Sequence, residues 1–339
     1  MSTAKKGKEA LLSVTADTCV RDYGQYVTSY KLTFAPDYNF SGITKDCFTF
    51  KETAKHPTGT QASFGAWKVE KEGDSLTVFV DPFLYNDKFT GEVVLDGECV
   101  SLSKADVPEM TVDVVDDFEA LTADTGMKYR LFVPESDEPL PLVVTFHGGG
   151  ERGTDNYKQM VNNRITTKWG EPQWQALHKC IVLGPQSNND WSDDELKTVR
   201  KLIERLIDEK KADPKRIYAS GLAAFQSTIR FAAANADLLA GVISMIYWKK
   251  YDPDLTPLNT LPMWLAIAEN DSTGESSYVK EAYQYFKEEL GNPNVRCTIY
   301  TPEEMLTYGL FGGLTHWGWI PTLNSPEICN WLFAQRREE

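Results

Sequence analysis

One residue is placed to act as a general base. Four histidines stand in the chain, His56, His147, His178 and His316. His56 lies in a β-rich first part, His147 in a glycine run, and His178 before a strand, at the wrong end for chemistry. His316 falls after the last expected strand and before the C-terminal helix, where a base can meet groups carried on earlier strand ends. Asp271, just past the expected strand Met263–Ala268, is the carboxylate that would orient it. An acidic residue there also serves as a loop cap, and Glu269 is the alternative. A third piece is Phe146-His147-Gly148-Gly149-Gly150-Glu151-Arg152-Gly153. Glycines directly after a buried strand leave backbone N–H groups free to face a developing oxyanion, and Gly148 and Gly149 are the candidates. The nucleophile should sit in Ser220-Gly221-Leu222-Ala223-Ala224-Phe225-Gln226, a strand running through a sharp turn into a helix, the context of G-x-S-x-G. Here Ala223 occupies the serine position and Phe225 the second glycine position. Alanine has no nucleophilic atom, so acyl transfer is closed at that position. Ser220 and Ser227 flank the turn without reaching its tip. The order 223, 271, 316 is nevertheless nucleophile, acid, base.

The elements that would position these residues read as alternating strands and helices from Met127 onward. Tyr129–Val133, Leu140–Phe146, Cys180–Leu183, Arg216–Ser220, Leu239–Ile246, Met263–Ala268 and Val295–Tyr300 are the expected strands. Asp194–Lys211 is an amphipathic helix with Leu196, Val199, Leu202, Ile203, Leu206 and Ile207 in one stripe, stopped by Asp213-Pro214. Ala223–Asn235, Ser276–Leu290 and Pro326–Gln335 are further helices. This alternation predicts a mostly parallel sheet with helices on both faces. Gln186 and Trp191, after a strand, could line a pocket, as could Trp317 beside His316 and Phe225 at the turn.

Residues 1–115 read differently. Alternation over Tyr26–Phe34 puts Tyr26, Tyr30, Leu32 and Phe34 on one face. Ser75–Val80 is a strand stopped by Asp81-Pro82, and Asp96-Gly97 marks a hairpin. These signals predict a small β-sandwich of immunoglobulin type with Trp67 in its core. Residues 107–123, carrying Asp113, Asp116, Asp117 and Glu119, read as a solvated linker or edge strand ahead of a second domain, 116–339.

The bulk numbers limit the function classes. In 339 residues the formal net charge is -14, which argues against a nucleic-acid surface. No apolar run is long enough to span a bilayer, and Met1–Leu12 lacks the apolar core of a signal peptide. Six scattered cysteines show no metal-ligand spacing, so no metal and no cofactor is expected, and free thiols or a Cys19–Cys47 bridge remain open.

Tyr129-Arg130-Leu131-Phe132-Val133-Pro134, the string from His147 through Asn156, Gly184-Pro185-Gln186, Asp213-Pro214-Lys215-Arg216-Ile217-Tyr218 and Trp331-Leu332-Phe333-Ala334-Gln335 together resemble α/β-hydrolase esterases of the polyhydroxybutyrate-depolymerase and feruloyl-esterase type. The resemblance covers residues from about 127 to 337. It implies an α/β-hydrolase fold behind an immunoglobulin-like domain. It also implies Asp271 and His316 as acid and base, and Gly148, Gly149 and Ala224 as oxyanion donors. It further suggests a small-molecule ester, aromatic acids included, and a secreted or cell-envelope protein whose signal has been removed. Three readings follow from Ala223. The chain is a degenerate esterase, or a pocket rebuilt around His316 as a base without serine (which the second change, at Phe225, would fit), or a binding module for a carbohydrate or aromatic ligand.

Overall fold

The computed structural model describes residues 6–52, 63–85, 89–222, 227–245, 254–274 and 276–338. Ala223, Ala224 and Phe225 lie outside the described residues. The chain divides into two compact units, Met1–Asp116 and Asp117–Glu339.

The first unit contains β1 (Leu11–Arg21), β2 (Gly24–Phe34), β3 (Phe48–Glu52), β4 (Ser63–Glu72), β5 (Ser75–Leu84), β6 (Phe89–Leu95), β7 (Glu98–Ser101) and β8 (Glu109–Asp113). They form one continuous sheet in the order β7-β6-β3-β4-β5-β2-β1-β8. Neighbours are antiparallel except β1 and β8, which run parallel. Tyr30 on β2 stacks on Phe50 on β3 with ring centroids 5.3 Å apart, although β4 and β5 separate the two strands in the sheet. The sheet therefore curls over on itself and closes a sandwich core. Tyr26, Tyr30, Leu32 and Phe34 are all buried. Asp96 and Gly97, with φ of +50° and +85°, make the two-residue hairpin turn between β6 and β7.

Two expectations for this unit are corrected, and one alternative left open is closed. Trp67 is not a core residue: it is 56% exposed, because on β4 it points away from the face that carries Ala66 into the core. Asp81-Pro82 does not end the strand. β5 runs on to Leu84, and the proline sits past the last β4 pair and opposite a register shift in β2, where no ladder N–H is required. No Cys19–Cys47 disulfide forms; all six cysteines are free, and the Cys47 thiol donates to the Gly42 carbonyl at 3.6 Å.

The second unit holds β9 (Glu119–Thr122), β10 (Lys128–Phe132), β11 (Leu140–Phe146), β12 (Ile181–Gln186), β13 (Ala212–Leu222), β14 (Gly241–Met245), β15 (Met263–Ala268) and β16 (Val295–Tyr300). Their order is β9-β10-β12-β11-β13-β14-β15-β16. β10 is antiparallel to both β9 and β12, and from β12 to β16 every pair is parallel. The acidic stretch 107–123 thus supplies two edge strands, β8 and β9.

Among the described residues the helices are α1 (Lys158–Val161), α2 (Thr167–Gly170), α3 (Pro172–Leu177), α4 (Asp193–Asp208), α5 (Ser227–Ala234), α6 (Ser276–Gln284), α7 (Pro302–Thr307), α8 (Trp319–Leu323) and α9 (Pro326–Ala334). All seven residues of β11 are buried, as a strand covered on both faces requires. α4 opens with a capping box. Ser192 Oγ accepts from Glu195 N, and the Glu195 carboxylate accepts from Ser192 N at 2.7 Å. Its predicted stripe is buried through Leu206, with Ile207 at the margin. Asp213-Pro214 does not stop α4, which ends earlier at Asp208; the pair enters β13 instead. The helix expected over 276–290 changes after Gln284 into a π turn, Tyr285–Glu289, closed by Leu290 N donating to Tyr285 O. None of the described helices is long and apolar enough to cross a membrane.

Candidate active site

His316 ends a 3-10 turn, Gly312–His316, just before α8. Its Nδ1 lies 2.9 Å from Asp271 Oδ1 and 3.1 Å from Oδ2. A carboxylate only accepts, so Nδ1 carries the proton, and Nε2 presents its lone pair as the basic nitrogen. The Asp271 side chain is fully buried, whereas that of His316 is 20% exposed. Burying a carboxylate is costly unless it is hydrogen-bonded. Thr273 N and Gly274 N both donate to Asp271 Oδ1 at 2.8 Å and fill that need.

Two contacts lock the loops together. Ser272 Oγ donates to Gly313 O at 3.0 Å. At Gly318 a Cβ would lie 3.4 Å from Ala268 N, so the chain after His316 rests closely on the end of β15. Trp319 meets the His316 ring edge-on at 5.9 Å, and Trp317 stacks on Trp319 at 5.6 Å.

The glycine loop follows β11. Ser187 N donates to His147 Nε2 at 2.9 Å, so His147 Nδ1 must carry its hydrogen and donates to Gly148 O at 2.7 Å. Burial holds the His147 pKa down at about 4, against the raising pull of the Gly148 carbonyl and Glu195 and with help from Arg152. This imidazole is a neutral strut, not a base. Glu151 N also donates to Gly148 O, at 3.3 Å, closing a tight turn.

Gly148 itself is buried, while Gly149 and Gly150 are exposed. Burial raises the pKa of the Glu151 carboxyl, moderated first by the Gly148 amide and then by the Asn163 side chain. Gly149 and Gly150 begin the 3-10 turn Gly149–Glu151, and such leading amides have no intrahelical acceptor. The Arg152 guanidinium lies beside Gly149 and pairs with Asp190 at 2.9 Å.

Gln186 and Trp191 stand behind this loop. Gln186 Oε1 accepts from Asn156 N at 2.6 Å, and its Nε2 donates to Glu151 O and Asp155 Oδ1, each at 3.1 Å. Gln186 also borders a cleft of about 310 Å³ with Gly153, Lys128 and Glu195. Trp191 is fully buried, and its Nε1 donates to His147 O at 3.1 Å.

Asp155 was not singled out from the sequence. Burial opposes its charge, yet the amides of Lys158 and Tyr157 and the Gln186 side chain hold its pKa below the usual carboxylate range. Its visible signal was an Asp directly before a helix start. Nothing in the string foretold that Glu151 would be buried.

At the end of β13, Gly221 pairs with Phe146 of β11 and Ser244 of β14. A Cβ at Gly221 would collide with Thr228 Oγ1 and lie 2.9 Å from Phe146 Cβ. Strand and helix approach so closely there that only glycine fits. Ser220 and Ser227 are buried. His178 is spent elsewhere, with Nε2 2.8 Å from Asn330 Oδ1.

Sheet order, the glycine loop and the histidine–aspartate pair define an α/β-hydrolase fold with an esterase-type scaffold. No family profile matches the chain, and no curated protein matches it. Among solved structures it is similar to a thermostable esterase at 26% identity, covering 96% of this chain and 100% of that one, with a TM-score of 0.76. Also similar are an esterase of Pyrococcus furiosus (14% identity, 56% and 86% covered, TM-score 0.38) and an alpha/beta hydrolase enzyme from a Medee basin deep-sea metagenome library (15%, 63% and 96%, TM-score 0.45).

Proposed function

We propose that this protein is an ester-hydrolase scaffold that works without a serine nucleophile. In it His316, oriented by Asp271, serves as general base toward water at the carbonyl of a bound carboxylic ester. The observation that carries this reading is the 2.9 Å contact between His316 Nδ1 and Asp271, which leaves Nε2 as the basic nitrogen. The Gly149 and Gly150 amides, lacking intrahelical acceptors, supply the oxyanion donors. Water adds to the carbonyl carbon while its proton passes to Nε2. Collapse of the tetrahedral intermediate expels the alkoxide, which takes that proton back. The substrate is an ester of a hydroxy- or cinnamic-type acid, and Trp317 and Phe225 contribute to its site. Gln186 and Trp191 act through the loop they support. The relationship to polyhydroxybutyrate-depolymerase and feruloyl-type esterases, and the immunoglobulin-like kinship of the first unit, belong to the same proposal.

A second reading is favoured by the identity of Ala223: the pocket holds an ester or aromatic acid and no longer turns it over. Hydrolysis of p-nitrophenyl acetate decides between them. The first reading expects a rate above buffer that disappears in His316→Ala. An inactive protein that gains turnover in Ala223→Ser with Phe225→Gly supports the second. Labelling of the unaltered protein by a fluorophosphonate would overturn both, because it requires an activated serine.

A further inference from the structure

The first unit carries an open cleft of about 650 Å³ on its own surface, formed where β4 and β5 border the segment between β2 and β3. The Trp67 indole lies in its wall, 56% exposed, with its ring 5.5 Å from that of Phe79. A large aromatic side chain left in water on a strand whose neighbour Ala66 is buried is the unusual feature. Phe40 lies in the same wall, under the Lys71 ammonium at 4.4 Å. Among the described residues the cleft's ionisable side chains besides Tyr38 are Lys45, Lys68 and Lys71, and no carboxylate lines it. Lys68 is paired with Glu70. Lys45 and Lys71 have no carboxylate partner among the described residues. This local positive charge stands in a chain of net charge -14.

We infer that this cleft binds a uronate-bearing polysaccharide, with Trp67 stacking on a sugar ring and Lys45 and Lys71 meeting its carboxylates. The flat apolar face of a pyranose matches an exposed indole, whose area is gained at little conformational cost. A neutral glycan would leave the two lysines without partners. An anion without rings would leave the indole without one. A nucleic acid would need a broader basic surface than three lysines on an acidic chain. The volume is within the range of small-ligand sites and suits a few sugar units at a time. Because the cleft belongs to the same chain as the hydrolase-type unit, a bound polymer would raise the local concentration of any ester it carries. The inference does not depend on catalysis by that unit.

Affinity electrophoresis of the full-length protein tests this, in gels containing polygalacturonate, a neutral soluble glucan, or polyglutamate. Retardation is expected in polygalacturonate alone among the three. It should weaken about tenfold in Trp67→Ala, whose exposed side chain supports no core, and weaken in Lys45→Ala with Lys71→Ala and with added salt. Absence of retardation in polygalacturonate overturns the inference. Equal retardation by polyglutamate, unchanged in Trp67→Ala, overturns it in favour of simple charge attraction. Equal retardation by the neutral glucan, unchanged in the lysine variant, removes the uronate.

Discussion

His147→Gln isolates the contribution of a buried neutral imidazole to the acid stability of the glycine loop. In the unfolded chain this group titrates near 6.5, and in the folded protein burial lowers it to about 4. The folded value is the lower one, so between the two the unfolded chain binds the extra proton. The stability gained by keeping the ring neutral is complete above about pH 6.5 and is lost as pH falls toward 4. Lowering a pKa from 6.5 to about 4 corresponds to about 3 kcal/mol. Glutamine can place an oxygen where Nε2 accepts from Ser187 N, and it does not titrate. Urea unfolding followed by tryptophan fluorescence, at steps from pH 7 to pH 4, supplies the measurement. Because Met1–Asp116 and Asp117–Glu339 are separate units, two transitions are fitted, and the substitution should move the second unit's. Glu151, whose raised pKa works in the opposite direction, is present in both proteins and cancels in the difference. At pH 7 the variant should be less stable by about 1–2 kcal/mol through lost ring contact with Trp191. By pH 4 that gap should reverse, a relative change of about 3 kcal/mol. Parallel stability curves for the two proteins across this range would refute the buried neutral strut.

Gly221→Ala should destabilise the second unit by about 1–3 kcal/mol, since its Cβ meets Thr228 and Phe146, and Thr228→Ala should return part of the loss in a thermal melt. In the background Ala223→Ser with Phe225→Gly, Asp271→Asn should cut kcat for p-nitrophenyl acetate by about ten-thousandfold, because the imidazole then loses the tautomer that exposes Nε2. Trp191→Phe leaves the buried His147 carbonyl without its indole donor and should cost about 1–3 kcal/mol in urea unfolding.

The strands of the second unit were legible because buried parallel strands are continuous apolar runs. Leu140–Phe146 and Met263–Ala268, both buried throughout, fall where their sequence places them. Less legible was anything decided by contacts between distant segments. Proline at 82 suggested a strand end, yet a register shift in β2 removes the demand for its N–H. Trp67 looked like core, but on β4 it faces outward beside the inward Ala66, and a residue alternation broken by irregular pairing cannot be counted from sequence. In the glycine string, Gly148 and Gly149 read alike as oxyanion candidates. The fold separates them by burial, with Gly148 buried and Gly149 at the surface.

Among the described residues, the histidine–aspartate pair is held by contacts of its own two segments. Asp271 is fixed by the amides of Thr273 and Gly274, and the His316 segment by Ser272 and the close seat of Gly318 on β15. The polar demands of the pair on the Nδ1 side are met within β15, its loop and the segment before α8. In the proposed reading, Ala223 offers no nucleophilic atom to an acid–base couple that is already assembled. The assembled couple makes Ala223→Ser informative. If turnover returns with one or two substitutions, orientation was never lost. If it does not, Asp271–His316 is a structural fastening between β15 and the C-terminal helices, and Asp271→Asn should then lower stability with no effect on chemistry.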